Sequence, residues 1–95
     1  MDLESIFGAA ADGELVLEIG FGSGDNIVNL ASSNPTNRYI GLEIHRASLA
    51  VCMGTVEELG LKNVKFVGGD AVKFLKNNVE DGTFDKIIIL SLIHI

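Results

Sequence analysis

The stretch "LEIGFGSGD", residues 17–25, sets a carboxylate, Glu18, two positions ahead of three alternating glycines, Gly20, Gly22 and Gly24. Glycine turns between a strand and a helix commonly cradle phosphates on backbone N–H groups. A carboxylate beside such a loop opposes a phosphate and attracts a cation instead. Spacing excludes the two familiar phosphate loops. G-x-G-x-x-G/A fails, because counting from Gly20 reaches Asp25 at the third glycine and counting from Gly22 reaches Ile27. No Gly-Lys-Ser/Thr follows, so a P-loop fails as well. Backbone geometry alone is the plainer account of a glycine turn, but one turn rarely needs three.

Two further acids belong to the same pattern. Glu43 closes the run "RYIGLEI" (38–44) and Asp70 follows "NVKFVG" (63–68) in "GGDAV". A carboxylate at Glu43 can accept both hydroxyls of a ribose, and Asp70 is suited to accept from an adenine amino group. Taken singly, each reads as a solvated acid or a helix cap. Three acids, each at the end of a successive strand, point to one ligand that is cationic and carries an adenosine.

The elements that must position these acids alternate along the chain. "ELVLEIG" (14–20) is a short Val, Leu and Ile run, the pattern of a strand buried on both faces. From Gly24 a helix is expected, with Ile27, Leu30 and Ala31 on one face, ended by "SSNPTN" (32–37). "RYIGLEI" is the second strand. A second helix from about Ala47 to Leu59 is expected to turn Leu49, Cys52, Met53, Val56 and Leu59 inward. Gly60 is its left-handed stop and Leu61 the accompanying apolar contact. "NVKFVG" is the third strand, "DAVKFLKNN" (70–78) a third helix capped by Asp70, and "FDKIII" (84–89) the fourth strand. Strands alternating with helices imply an α/β, doubly wound parallel sheet, here about four strands with three intervening helices. In such a sheet ligands bind beyond the carboxyl ends of the strands, where all three acids fall.

Composition bounds the rest. Ninety-five residues suffice for one small domain, and a single cysteine, Cys52, rules out an internal disulfide and suits a reducing cytoplasm. No apolar run reaches a membrane span, and "MDLESIFG" lacks the positive start of a secretory signal. The formal net charge of −6 repels nucleic acid, so a nucleic-acid target would need a basic surface elsewhere.

E-x-G-x-G-x-G, as it stands at Glu18 to Gly24, resembles the first motif of Rossmann-like methyltransferases. Their cofactor, S-adenosylmethionine, carries a sulfonium and an α-ammonium and has no phosphate. The wording goes further. "LEIGFGSG", "NPTNRYIGLEIHRASL", "ELGLKNVKFVGGDAVKFL" and "DGTFDKIII" resemble the bacterial tRNA (guanine-N7)-methyltransferase family, from about Leu15 to Ile89. The resemblance implies methyl transfer from S-adenosylmethionine to a guanine N7 of tRNA. It also implies a cofactor held at Glu18, Gly20, Gly22, Gly24, Glu43, Ile44, Asp70 and Ala71, with no metal.

No catalytic side chain is expected, since guanine N7 is already a nucleophilic lone pair that needs positioning rather than a base. His45 is expected to orient the ribose edge or pack behind its strand, and Cys52 to be core. Two other readings stay open: a related methyltransferase acting on a small molecule or protein, and a non-enzymatic nucleotide-binding module.

The resemblance breaks at the end. In that family the fourth strand runs into an F-P-D-P-W motif and a basic segment, whereas here "LSLIHI" follows. Residues 1–13 are therefore expected to be a lead-in and 14–89 the cofactor-binding part of a truncated domain. Residues 90–95 are expected to be a non-native tail, with no chemistry at His94. Such a piece is expected to be inactive alone, to meet tRNA only through the absent part, and to leave strand four as an open edge prone to intermolecular pairing. The sequence leaves the oligomeric state open.

Overall fold

The computed structural model describes residues 6–8, 12–20, 24–69, 73, 76 and 84–89. Four parallel strands form one sheet: β1 (Leu15–Ile19), β2 (Arg38–Glu43), β3 (Val64–Gly68) and β4 (Lys86–Ile89), in the order β3-β2-β1-β4. Helix α1 (Asp25–Ser33) joins β1 to β2, and α2 (Arg46–Leu59) joins β2 to β3. The chain steps outward from β1 through β2 to β3, then returns to the other side of β1. That reversal makes the carboxyl end of β1 a topological switch point. The expected strands and helices lie within one or two residues of those observed. Of the expected third helix only Lys73 and Lys76 are described, and both are helical.

Strand alternation divides the core into two layers. Val16, Tyr39 and Val64 meet Ile27, Val28 and Ala31 of α1 and Cys52 of α2 on one face. Leu15, Leu17, Ile40 and Leu42 meet Phe7 on the other. Apolar side chains on both faces explain why β1 reads as a continuous hydrophobic run. Among the described residues β4 pairs with β1 alone, and its Ile87 and Ile89 are exposed.

Helix ends follow local rules. At the end of α2, Gly60 adopts φ 67°; its N–H donates to the Glu57 carbonyl and that of Leu61 to the Val56 carbonyl, both at 3.1 Å. This paired pattern is the left-handed stop expected of Gly60. The inward face of α2 is narrower than its apolar content implies. Cys52 is buried and Leu49 and Val56 pack against the core, but Met53 and Leu59 are exposed. Met53 follows Cys52 directly, so the ~100° step per residue carries it off the face.

Asn63, buried just before β3, holds the amino-terminal side together. Its Nδ2 donates to the carbonyls of Ala31, Asn34 and Asn37 at 3.0, 3.1 and 3.1 Å. Its own carbonyl accepts the Tyr39 N–H at 2.8 Å. The end of α1 and the entry to β2 are thereby tied to β3, which fixes the β2 register and so the level at which Glu43 emerges.

Candidate functional site

Glu18 is the fourth residue of β1 and shares a face with Val16, the face that α1 and α2 cover. Register sets Glu18 beside Gly41, so Glu43, two residues further along β2, lies on the same face nearer the carboxyl edge. Both carboxylates are buried, Glu18 at 1% exposure and Glu43 at 7%.

Their hydrogen bonding differs. Glu43 Oε2 accepts the backbone N–H of Ile44 at 2.9 Å and that of His45 at 3.3 Å, which fixes its carboxylate over the turn into α2. Glu18 Oε2 accepts from Asn26 Nδ2 at 2.9 Å, but Oε1 is buried with no hydrogen-bond partner. Burial pushes the Glu18 carboxyl above its ordinary range, and the Asn26 hydrogen bond partly offsets this. A buried acceptor without a donor is costly.

The backbone closes around these acids. Gly20 has φ 71°, and its N–H reaches the Leu42 carbonyl at 2.9 Å, one step past the end of β1. Gly24 has φ 80° at the head of α1 and is packed on Cys52; a Cβ there would lie 2.5 Å from Sγ. Gly69, directly ahead of Asp70, donates to the Glu43 carbonyl at 3.1 Å, so the end of β3 reaches the same edge. Ile44 is 67% exposed beside Glu43.

Of the expected cofactor residues, Glu18, Gly20, Gly24, Glu43 and Ile44 therefore gather at one edge. Gly22, Asp70 and Ala71 lie outside the described residues. His45 heads α2 with its side chain exposed, so it does not pack behind the strand. Cys52 is buried in the core as expected, and burial, followed by the charges of Asp25, Glu43 and Glu18, pushes its thiol upward, away from nucleophilic use. Asn26 escaped the sequence reading. Its only signal was its place in the first turn after the glycine loop. A cavity of about 320 Å³ lies at the opposite end of the sheet, lined in part by Phe7, Pro35, Leu61 and Lys62, and takes no part in this site. Among the described residues no group of three or more His, Cys, Asp or Glu could hold a metal ion, and no helix is long and apolar enough to cross a membrane.

One prediction follows from the strained carboxylate. A carboxyl raised in the folded state is fully stabilising below its unfolded value and loses that contribution as pH rises through the folded value. Glu18→Gln removes the buried charge and keeps an acceptor for Asn26. The variant is expected to gain about 1 kcal/mol at neutral pH, or ~4–8 °C in melting temperature. The gain should shrink toward pH 4. Paired thermal melts of variant and parent check this, and an equal difference at both pH values would remove Glu18 as the source.

A parallel sheet with a glycine turn and buried acids at its switch point is a Rossmann-like ligand-binding fold. A family profile described as "Putative methyltransferase" matches residues 12–90, and the chain belongs to that family. The tRNA (guanine-N(7)-)-methyltransferase of Yersinia enterocolitica is 37% identical over 87 residues, covering 92% of this chain and 36% of the relative. The chain thus spans about a third of the length of the curated relatives it matches. Among solved structures, the O-methyltransferase TomG of Streptomyces achromogenes, in complex with SAM, is similar with a TM-score of 0.70 and 26% identity, covering 82% of this chain and 37% of that one. PKMT2 of Rickettsia typhi in complex with AdoHcy has a TM-score of 0.67 at 24% identity over 88% of this chain and 16% of that one, a likeness of fold alone.

Proposed function

We propose that this chain is the S-adenosylmethionine-binding part of a cytoplasmic methyltransferase that methylates guanine N7 in tRNA. The observation that carries the cofactor reading is the buried, unpaired Oε1 of Glu18 beside a second buried carboxylate, Glu43. Glu18 offers a cation its missing partner. Glu43, already oriented by two backbone N–H groups, keeps acceptor capacity for a pair of ribose hydroxyls. Ile44 offers an apolar surface for a flat base beside them. The glycines at 20 and 24 keep the backbone low, and Gly22, Asp70 and Ala71 complete the proposed set.

When bound, S-adenosylmethionine supplies an electrophilic methyl group on its sulfonium. The chain's part is to bind and orient, because a guanine N7 lone pair needs no base to attack. The acceptor reading rests on the name of the Yersinia relative. An acidic chain of net charge −6 leaves the grip on tRNA to a basic surface outside it.

Calorimetry of the 95-residue chain with adenosylhomocysteine and, separately, with NAD tests the cofactor reading. Selective binding of adenosylhomocysteine is expected; equal binding of NAD would favour a general nucleotide module. For the acceptor, residues 12–90 can replace the matching segment of the Yersinia relative. The chimera is expected to form 7-methylguanine in bulk tRNA, whereas a folded chimera that binds adenosylhomocysteine but leaves tRNA unmodified would point to another acceptor.

A further inference from the structure

Glu18 is held on one oxygen only. Asn26, in the first turn of α1, donates its Nδ2 to Oε2 at 2.9 Å, while Oε1 of the same carboxylate is buried with no partner. Asn26 itself is exposed, so this hydrogen bond is not an incidental product of core packing. Among the described residues, the titratable and charged groups around this end of the sheet include Asp25 of α1, Glu43 of β2, His45 and Arg46 at the head of α2, and Cys52 further along it. Asp25 and Glu43 are acids, and among the described residues no lysine or arginine is paired with Glu18. Among the described residues, the neutral amide of Asn26 both orients this carboxylate and favours its ionised form.

We propose that Asn26 is a positioning residue for Glu18: it pins Oε2 so that Oε1 receives the cationic group of the ligand, and it lowers the pH below which a proton on Glu18 bars that ligand. The proposal rests on the reading that the site takes a cationic adenosine ligand. Without ligand, burial favours the protonated acid and the Asn26 N–H opposes it. A ligand ammonium seated on Oε1 restores the ionised form. Glu18 then gives up its proton to solvent, so protonated Glu18 and the ligand cation yield the ion pair and one hydrogen ion. Below the midpoint of this exchange, affinity falls about tenfold per pH unit, the slope of a single proton. Losing the Asn26 hydrogen bond raises the midpoint, because burial is then unopposed.

The test is adenosylhomocysteine calorimetry on the 95-residue chain from pH 4.5 to 8, in buffers of different ionisation enthalpy. The ligand keeps its α-ammonium throughout that range. The parent is expected to release one proton per ligand bound at the acidic end. Asn26→Ala is expected to shift the affinity profile to higher pH while approaching the parent's affinity at pH 8. Glu18→Gln should bind weakly with no proton release, and Glu43→Gln should keep the parent's midpoint at lower affinity. Asn26→Ala weakening binding equally at every pH would make Asn26 merely structural and overturn the proposal. Absence of adenosylhomocysteine heat at every pH would instead overturn the functional reading. The Glu18 carboxyl titration, followed by carbon-13 NMR in ligand-free parent and Asn26→Ala, then decides the role of Asn26. A midpoint unmoved by the substitution would end it.

Discussion

Gly24→Ala is expected to destabilise the fold by about 2–5 kcal/mol, the largest single effect at this site. Two costs combine. A φ of 80° is left-handed, a region that costs a residue with a Cβ about 1–2 kcal/mol. The new Cβ would also lie 2.5 Å from Cys52 Sγ, and Cys52 is fully buried, so the sulfur cannot retreat into solvent. Overpacking of this kind costs about 1–3 kcal/mol. Urea unfolding of the variant checks the sum, and the double variant Gly24→Ala/Cys52→Ala separates the terms. Removing the sulfur should recover about 1–2 kcal/mol, as expected for coupled neighbours. The backbone cost should stay. An unchanged unfolding midpoint in Gly24→Ala would overturn both the backbone and the packing cost.

Glu43→Ala is expected to weaken adenosylhomocysteine binding about tenfold to a hundredfold, or ~1.5–3 kcal/mol, through loss of charged hydrogen bonds to the ribose. The structure adds a second consequence. Glu43 Oε2 also accepts the Ile44 and His45 N–H groups, so alanine leaves two donors at the head of α2 without their acceptor. Glu43→Gln retains an acceptor oxygen for the turn and removes the charge. It should keep more of the folding stability than alanine while losing affinity. Calorimetry and thermal melts on both variants distinguish turn from ligand. A dissociation constant unchanged in Glu43→Ala would remove this residue from the site.

Much of this arrangement was legible in the chain. Short continuous apolar runs and Pro35 and Gly60 as breakers are local signals, and the strands, α1 and α2 follow them closely. Glu18 and Glu43 could be named as a pair because acids closing successive parallel strands must emerge at one edge. Glycine could be read at position 24, but its reason could not. The sequence suggested room for a ligand, whereas part of the requirement is a thiol 28 residues away that packs on its Cα. Such a contact depends on how α2 lies across α1 and leaves no trace in spacing.

The same limit governs Met53, Leu59 and Asn26. Helical spacing grouped Met53 and Leu59 with Leu49, Cys52 and Val56 on one inward face, but of these five only Leu49, Cys52 and Val56 pack in the core, while Met53 and Leu59 are exposed. Asn26 looked like an ordinary polar residue in a first helical turn. Only the fold brings its amide to Glu18 Oε2 and leaves Oε1 alone. Among the described residues the sequence by itself determined which are strands and helices and which acids, Glu18 and Glu43, stand at the edge, because those properties depend on near neighbours along the chain. Tertiary structure decided which oxygen of a buried acid is paired, which glycine cannot be replaced and which apolar side chains remain in water. Those depend on distances between elements, and packing sets such distances only once the whole sheet is assembled.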